Sequence, residues 1–246
     1  LDLIGVKELH ITSGDSKTAL IKGRAAEGLS ERLFDAGVSG TAFENRESVG
    51  KDYVTLDLNG LKYSITPWSF FQSNWALNTK MVDEVINRLM PLDGKRVLDL
   101  YAGAGNFSIP VSVLAKEVVA VEENNDAVED GRRNIMLNNI KNCVFINMPV
   151  EDTLRQGKSN RASKILNSAP FDVIILDPPR PGLTSDCVKD LMSAGCGKIV
   201  YVSCNPATLA RDIKKMSEKY ELEALRMIDF FPNTYHVEAV AFLKQR

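Results

Sequence analysis

The sequence has few of the side chains that build metal sites or disulfide frameworks. Its 246 residues include only two histidines and four cysteines, and no two cysteines form a C-x-x-C pair. We therefore expect no metal site and no disulfide framework, and the cytoplasm is the default location. No apolar run approaches the roughly 18–20 residues that cross a bilayer, so we expect no membrane segment.

The chain also lacks an excess of charge of either sign. Its 30 basic and 32 acidic residues give a formal net charge of −2, which excludes a global basic field that would attract nucleic acid. A polynucleotide partner would need a local basic patch or another domain. The chain begins Leu-Asp-Leu-Ile-Gly-Val, without an initiator methionine or a basic segment. We therefore expect no signal peptide, and a piece of a longer protein.

Short β-biased segments separated by turns fill the first part of the chain. Asn59-Gly60, between Tyr53–Leu58 and Lys62–Ile65, predicts a two-residue hairpin turn. We interpret residues 1–69 as a small antiparallel β module.

The pattern then changes to compact apolar strands that alternate with polar helical stretches. This alternation indicates βαβ units, and it predicts that residues 70–246 form an α/β domain with a mainly parallel sheet. Two apolar segments near the end, Leu222–Ile228 and Val237–Leu243, are separated by only a short loop. They predict a terminal antiparallel hairpin added to that sheet.

A glycine turn follows the first strand of this domain. Gly103 and Gly105 allow a ligand to approach the backbone closely, but Ser108 stands where a dinucleotide-binding motif has its third glycine. The missing glycine makes it less probable that this turn binds the pyrophosphate of a dinucleotide. Glu122 ends the second strand, where adenosine-binding α/β folds hold ribose hydroxyls.

Two later strand ends carry further candidates. Asp177-Pro178-Pro179-Arg180 follows one strand, and its prolines stiffen the loop that carries the acid and the arginine. Cys204 follows another strand in Ser203-Cys204-Asn205-Pro206 and is a candidate nucleophile, although most free cysteines are buried core thiols. Ligands of open α/β sheets bind beyond the carboxyl ends of the strands, where all these residues are expected to lie.

In this order, the motifs resemble the S-adenosylmethionine-dependent RNA (uracil-5-)-methyltransferases that act on tRNA and 23S rRNA. The segment Ser69–Asn74 is similar to the family's F-x-Q-x-N segment, and Phe230–Glu238 to its closing F-P-x-T-x-H-V-E segment. The resemblance covers residues 69–246. It implies a class I methyltransferase fold, Rossmann-like, with S-adenosylmethionine as cofactor and RNA as partner.

The resemblance also implies roles for individual residues. Cys204 would be the nucleophile that adds to uracil C6, and Glu238 the base that removes the C5 proton. The residues that would line the S-adenosylmethionine site are Gln72, Tyr101, Gly103, Asn106, Glu122 and Asp177. Those that would contact the substrate are Phe71, Arg180 and His236, with Phe71 equally able to fill the core.

Several features depart from the family pattern. Ala102 stands where cysteine is usual, and Pro149 where many members have a polar residue, which puts an adenine contact there in doubt. The N-terminal OB-like domain of many members has no counterpart, nor have the cysteines with which some bind an iron–sulfur cluster. Residues 1–69 would then be the remnant of a central RNA-binding domain. We expect a monomer.

Three alternatives remain open from the sequence. A nicotinamide-dependent oxidoreductase would explain the glycine turn and Glu122, but neither Asp-Pro-Pro-Arg nor the pair of Cys204 and Glu238. A methyltransferase acting on another base, at cytosine C5 or an exocyclic nitrogen, would use the same cofactor. A catalytically inactive RNA-binding fragment would need none of this chemistry.

Overall fold

A computed structural model describes residues 3–24, 27–154, 161–234 and 237–246 of the chain. Its smaller sheet has the strand order β1-β2-β3-β4. The strands are β1 Val6–Ser13, β2 Lys17–Gly23, β3 Gly40–Phe43 and β4 Ser48–Gly50. One pairing in this sheet departs from the antiparallel pattern: β2 and β3 are parallel, because helix α1 (Leu29–Asp35) lies between them in the chain.

The predicted hairpin is present and connects the two parts of the chain. It consists of β5 (Val54–Leu58) and β6 (Leu61–Ile65), with Asn59 and Gly60 both at positive φ, as a tight hairpin turn requires. Its buried side chains, Tyr63 among them, belong to the same hydrophobic cluster as one face of the large sheet. The domain boundary at residue 69 stays a prediction, since the hairpin shares its core with the residues that follow.

The large sheet has the strand order β12-β13-β11-β10-β7-β8-β9. Its strands are β7 Arg96–Leu100, β8 Glu117–Glu122, β9 Cys143–Asn147, β10 Val173–Leu176, β11 Lys198–Ser203, β12 Tyr220–Ile228 and β13 Glu238–Gln245. Strands β7 to β11 pair in parallel, whereas β13 pairs antiparallel with β11 and with β12. The predicted fold class is confirmed, including the terminal hairpin.

Helices cover both faces of this sheet. They are α2 Trp75–Leu89, α3 Ser108–Ser112, α4 Asn125–Leu137, α5 Val150–Thr153, α6 Arg161–Leu166, α7 Ser185–Ala194 and α8 Pro206–Met216. The central strands are buried on both faces, which is why β10 reads as an uninterrupted apolar run. In the described part of the chain, no helix combines the length and the apolar character needed to cross a membrane.

Helix starts are fixed close to the strand ends by side-chain caps. The side-chain oxygens of Asn74, Asn124 and Asn205 each accept a hydrogen bond from a backbone N–H in the first turn of α2, α4 and α8. The strand order reverses between β7 and β10, so the connections after these two strands leave in opposite directions. The crevice at this point is the usual ligand site of a doubly wound sheet.

Candidate active site

The carboxyl ends of β7, β8, β10 and β11 border one cavity of about 460 Å³. This volume lies in the range of about 300–1,000 Å³ that is usual for small-molecule sites. The sequence-predicted site residues that line the cavity are Phe71, Gln72, Tyr101, Gly103, Asn106, Glu122, Asp177, Arg180, Cys204 and Glu238. His236, the remaining predicted residue, lies outside the described residues.

Glu122 is fixed by two backbone hydrogen bonds. Its Oε2 accepts from the Gly103 N–H at 2.9 Å, and its Oε1 accepts from the Asn124 N–H at 2.8 Å. A carboxylate oxygen has about two accepting sites, so each oxygen can still accept a hydroxyl hydrogen. The acid at the end of β8 and the glycine turn after β7 therefore form one preorganised acceptor for a diol such as ribose.

Tyr101 has an unusual conformation at the start of the glycine turn. Its φ is 62°, a left-handed value that bulky residues rarely adopt, and such residues cluster at functional sites. Its hydroxyl makes a hydrogen bond with the Cys187 side chain on α7.

Asn106 is held by a residue that sequence analysis missed. The Nδ2 of Asn78 donates to Asn106 Oδ1 at 2.7 Å, and Asn106 Nδ2 donates to Asn78 Oδ1 at 3.0 Å. Asn78 is fully buried on the apolar face of α2, together with Met81 and Val82. A polar residue at a core position of an amphipathic helix was the available signal. The reciprocal amide pair fixes how Asn106 faces the cavity.

The aromatic residues near the cavity have different roles. Phe230 is buried, and the Phe71 ring packs against Trp75 with centroids 4.6 Å apart. Phe70, by contrast, lines the cavity and remains 77% exposed. Of the aromatic side chains that line the cavity, it has the most surface free for stacking. The sequence names Phe71 as the substrate contact, or as a residue that fills the core.

Cys204 lies between the end of β11 and the start of α8, and it is half-buried. Desolvation raises the pKa of its thiol, and the nearby carboxylates of Glu238 and Asp177 raise it further, whereas the charge of Arg180 lowers it. Without a ligand, the thiol form is therefore favoured. The other three cysteines, Cys143, Cys187 and Cys196, are buried.

Two carboxyl groups accompany Cys204. Glu238 is 8% exposed, because β13 is an interior strand of the sheet, and desolvation raises the pKa of its carboxyl. Desolvation also raises the pKa of Asp177 well above its ordinary value, with further contributions from the charges of Glu238, Asp99 and Glu122. These acids are more basic than exposed carboxylates, a property suited to proton transfer.

Asp99 is the last but one residue of β7, just before the glycine turn. Ser108 Oγ donates to Asp99 Oδ2, while Asp99 Oδ1 has no hydrogen-bond partner among the described residues. Burial raises the pKa of this carboxyl to about 7. Within the described ranges, no three His, Cys, Asp or Glu side chains are grouped so that they could hold a metal ion.

One candidate phosphate contact has a different role. Arg211 lies on α8, where an arginine could bind phosphate or belong to a solvated helix face. Its guanidinium instead donates to the Asp212 carboxylate and to the carbonyl oxygens of Pro181 and Leu183. Arg211 therefore attaches α8 to the loop that follows β10.

The sequence is similar to known RNA methyltransferases over most of its length. A family model described as tRNA (Uracil-5-)-methyltransferase matches residues 16–246. An uncharacterized RNA methyltransferase of Clostridium tetani is 39% identical over 198 residues, which cover 80% of this chain and 41% of that protein. The 23S rRNA (uracil(1939)-C(5))-methyltransferase RlmD of Vibrio parahaemolyticus is 41% identical over 187 residues, which cover 76% and 41%. The chain thus spans about two fifths of the length of these relatives.

Solved structures of tRNA methyltransferases share the fold of this chain. The tRNA (uracil-54, C5)-methyltransferase of Pyrococcus abyssi, in complex with S-adenosyl-L-homocysteine, superposes with a TM-score of 0.77 at 28% identity, covering 96% of this chain and 59% of that chain. The tRNA m1G37 methyltransferase of M. jannaschii shares the fold, with a TM-score of 0.61 at 16% identity and coverage of 100% and 77%. The chain therefore belongs to the tRNA (uracil-5-)-methyltransferase family, as its motifs predicted.

Proposed function

We propose that this chain carries the catalytic part of an S-adenosylmethionine-dependent RNA (uracil-5-)-methyltransferase. The observation that carries the proposal is that one cavity is lined both by the Glu122–Gly103 acceptor and by Cys204 with Glu238. The P. abyssi relative, bound to S-adenosyl-L-homocysteine, and RlmD of Vibrio support the same reaction. The monomeric state and the cytoplasmic location stay predictions.

The charge of the cavity favours a cationic cofactor. Besides desolvation, the charge of Glu122 raises the pKa of Asp99, and the charges of Asp99 and Glu122 contribute to the raised pKa of Asp177. Asp99 Oδ1 is a buried acceptor without a partner among the described residues. A ligand with positive charge would relieve this repulsion, whereas the pyrophosphate of a nicotinamide cofactor would increase it. S-adenosylmethionine, when bound, supplies a methyl group on a positively charged sulfur. Glu122 would hold its ribose, and Asn106 and Asp177 would face its amino-acid part.

Cys204 would start the reaction by adding to C6 of a uracil that has left its base stack. The thiolate forms an S–C6 bond, and the C5–C6 π electrons move towards O4, which makes C5 nucleophilic. Arg180, exposed at the mouth of the cavity, would offset the negative charge that develops. C5 then takes the methyl group with the electron pair that it gained, and the S–CH₃ bond breaks, which leaves S-adenosylhomocysteine.

Glu238 would complete the reaction as the base. The methylated C5 still carries its hydrogen, which leaves as a proton to the Glu238 carboxylate. The electrons of the C5–H bond re-form the C5–C6 double bond, and the C6–S bond breaks to return the Cys204 thiolate. A desolvated carboxylate has the raised basicity that this step needs.

Trapping with RNA that contains 5-fluorouridine tests the nucleophile. The fluorine at C5 cannot be removed as a proton, so the S–C6 bond should persist after methyl transfer and shift the protein on a denaturing gel. We expect an adduct with the wild type and with Cys196→Ser, a buried cysteine outside the cavity. We expect none with Cys204→Ser.

Absence of an adduct in the wild type, with RNA still bound, would contradict the covalent mechanism and favour an RNA-binding module.

A second measurement addresses the class of RNA. It compares tritium release from 5-³H-uridine in tRNA with release from 23S rRNA transcripts. Release from one of the two RNAs would identify the substrate class. Release from neither RNA, measured with a full-length protein, would contradict methylation at C5.

A further inference from the structure

Asp212, on α8, is a fully buried carboxylate with four hydrogen bonds. Its Oδ2 accepts from the Leu183 N–H at 2.9 Å, the Tyr201 hydroxyl at 2.9 Å and Arg211 Nη2 at 3.1 Å. Its Oδ1 accepts from Arg211 Nε at 2.8 Å. The carboxylate therefore joins three elements: strand β11, helix α8 and the loop after β10. No sequence motif singles it out.

The loop after β10 is shaped to meet this carboxylate. Gly182 has a φ of +72°, and a Cβ atom at this position would lie 2.6 Å from Asp212 Oδ2. Only glycine allows the backbone both this conformation and this approach. Arg211 adds two hydrogen bonds to the loop, to the carbonyl oxygens of Pro181 at 2.9 Å and Leu183 at 3.2 Å.

The same loop carries Arg180, and the same helix follows Cys204. The Arg180 carbonyl oxygen accepts from Asn205 Nδ2 at 3.4 Å and from Thr208 Oγ1 at 3.3 Å, both at the start of α8. These contacts are long, and they lie at the exposed end of the junction. The buried junction at Asp212 is therefore the stronger attachment of the loop to the helix.

We propose that Asp212 is a positioning residue, which fastens the Pro178–Leu183 loop to α8 and so holds Arg180 at the cavity that Cys204 also lines. The proposal deepens the proposed function and rests on it, because the pairing matters only if Cys204 is the nucleophile. Asp212 does not line the cavity and so acts through Arg180.

A change in this arrangement would appear in the ionisation of Cys204. The charged groups that act on its thiol are Glu238 on β13, Asp177 directly after β10, and Arg180 on the Pro178–Leu183 loop. Arg180 favours the thiolate, whereas both carboxylates oppose it. If the loop moves away from α8, the thiolate loses its cationic neighbour, and the pKa of Cys204 rises further.

The test is the rate of Cys204 alkylation by iodoacetamide as a function of pH, followed by mass spectrometry on the whole chain without RNA or cofactor. The key variant is Asp212→Asn, because whichever way the amide turns, its NH₂ group faces a donor. We expect its alkylation midpoint to move up by about half a pH unit or more, so that alkylation at pH 7.5 is about threefold slower. The plateau at high pH, which reports access to the thiol, should stay within about twofold.

Two further variants separate positioning from general destabilisation. Arg211→Gln removes the donors to the loop but keeps Asp212, so it should shift the midpoint in the same direction, and it serves if Asp212→Asn does not fold. Lys215→Gln removes a charge from the exposed face of the same helix and should leave the midpoint unchanged.

A double variant with Arg180→Gln tests whether Asp212 affects the pKa of Cys204 through Arg180. Arg180→Gln alone should raise the midpoint, and Asp212→Asn added to it should produce no further shift. A wild-type midpoint in folded Asp212→Asn and Arg211→Gln, or an additive shift in the double variant, would overturn the proposal. Alkylation needs neither RNA nor methyl transfer. Its result can therefore be interpreted even if the proposed reaction is shown not to occur.

Discussion

The two sides of the cavity differ in how their polar groups are satisfied. On one side, Glu122 and Asn106 each make two hydrogen bonds to neighbouring groups, so they are held in a single arrangement. On the other side, desolvation raises the pKa of Glu238, which has no side-chain hydrogen bond within the described residues. The first arrangement suits groups that hold a ligand, and the second suits a group that exchanges protons.

This difference has a physical reason. A group that only binds gains from being preorganised, because nothing has to be ordered when the ligand arrives. A group that transfers a proton needs a pKa near the working pH. Hydrogen bonds to the charged form of an acid would lower that pKa, so such bonds would work against proton transfer. The following predictions test this division.

Glu238→Gln should have the largest effect, because it removes the proton acceptor from the reactive side. We expect methyl transfer to fall by about 10²–10⁴-fold, with little change in the affinity for S-adenosylhomocysteine. If Cys204 still adds to C6, unmodified RNA should now form an adduct that survives denaturation. Single-turnover assays and denaturing gels measure both results. Full activity in this variant would remove Glu238 from the mechanism.

Asp99→Asn should alter stability in a pH-dependent way. The folded-state pKa is raised from 3.8 to about 7, so between these values the folded protein keeps a proton that the unfolded chain has lost. Burial of Asp99 therefore lowers the free energy of unfolding as pH rises through that window, by on the order of 4 kcal/mol in total once the pH is well above 7. Asp99→Asn removes this penalty.

We therefore expect urea unfolding of the ligand-free protein to show a gain of a few kcal/mol for Asp99→Asn at pH 8 and almost none at pH 4. Ser108→Ala is the matched control. It removes the donor to the same carboxylate and should lower stability at pH 8. An equal gain for Asp99→Asn at both pH values would contradict a raised pKa.

Asn78→Ala should have the smallest effect, confined to the binding side. Loss of the reciprocal amide pair leaves Asn106 without a fixed orientation, and we expect affinity for S-adenosylhomocysteine to fall about tenfold by calorimetry. Thr79→Val changes the next residue, whose hydroxyl bonds only its own helix, and should bind normally. In a double-mutant cycle, Asn78→Ala should add little to Asn106→Ala. Additive losses would show that Asn78 acts independently of Asn106.

Much of the site was predictable because parallel strands end at the same edge of a sheet. Once the apolar runs located the strands, Glu122, Asp177 and Cys204 had to lie near one another. Contacts between distant segments were not predictable in this way. Asn78 and Asp212 look like ordinary polar residues on helices, and only the fold shows which loops they meet.

Glu238 shows both what sequence pattern predicts and what depends on contacts between distant segments. By itself, the sequence determined the alternation of strands and helices, the hairpin at Asn59-Gly60 and the family to which the chain belongs, because these depend on local pattern and motif order. Only the tertiary structure decided that Glu238 lies on an interior strand. Three strands separate its strand, β13, from β8, which ends at Glu122, yet both residues line the same cavity. Burial depends on what packs against a residue from elsewhere in the chain, and burial is what raises the pKa of this acid.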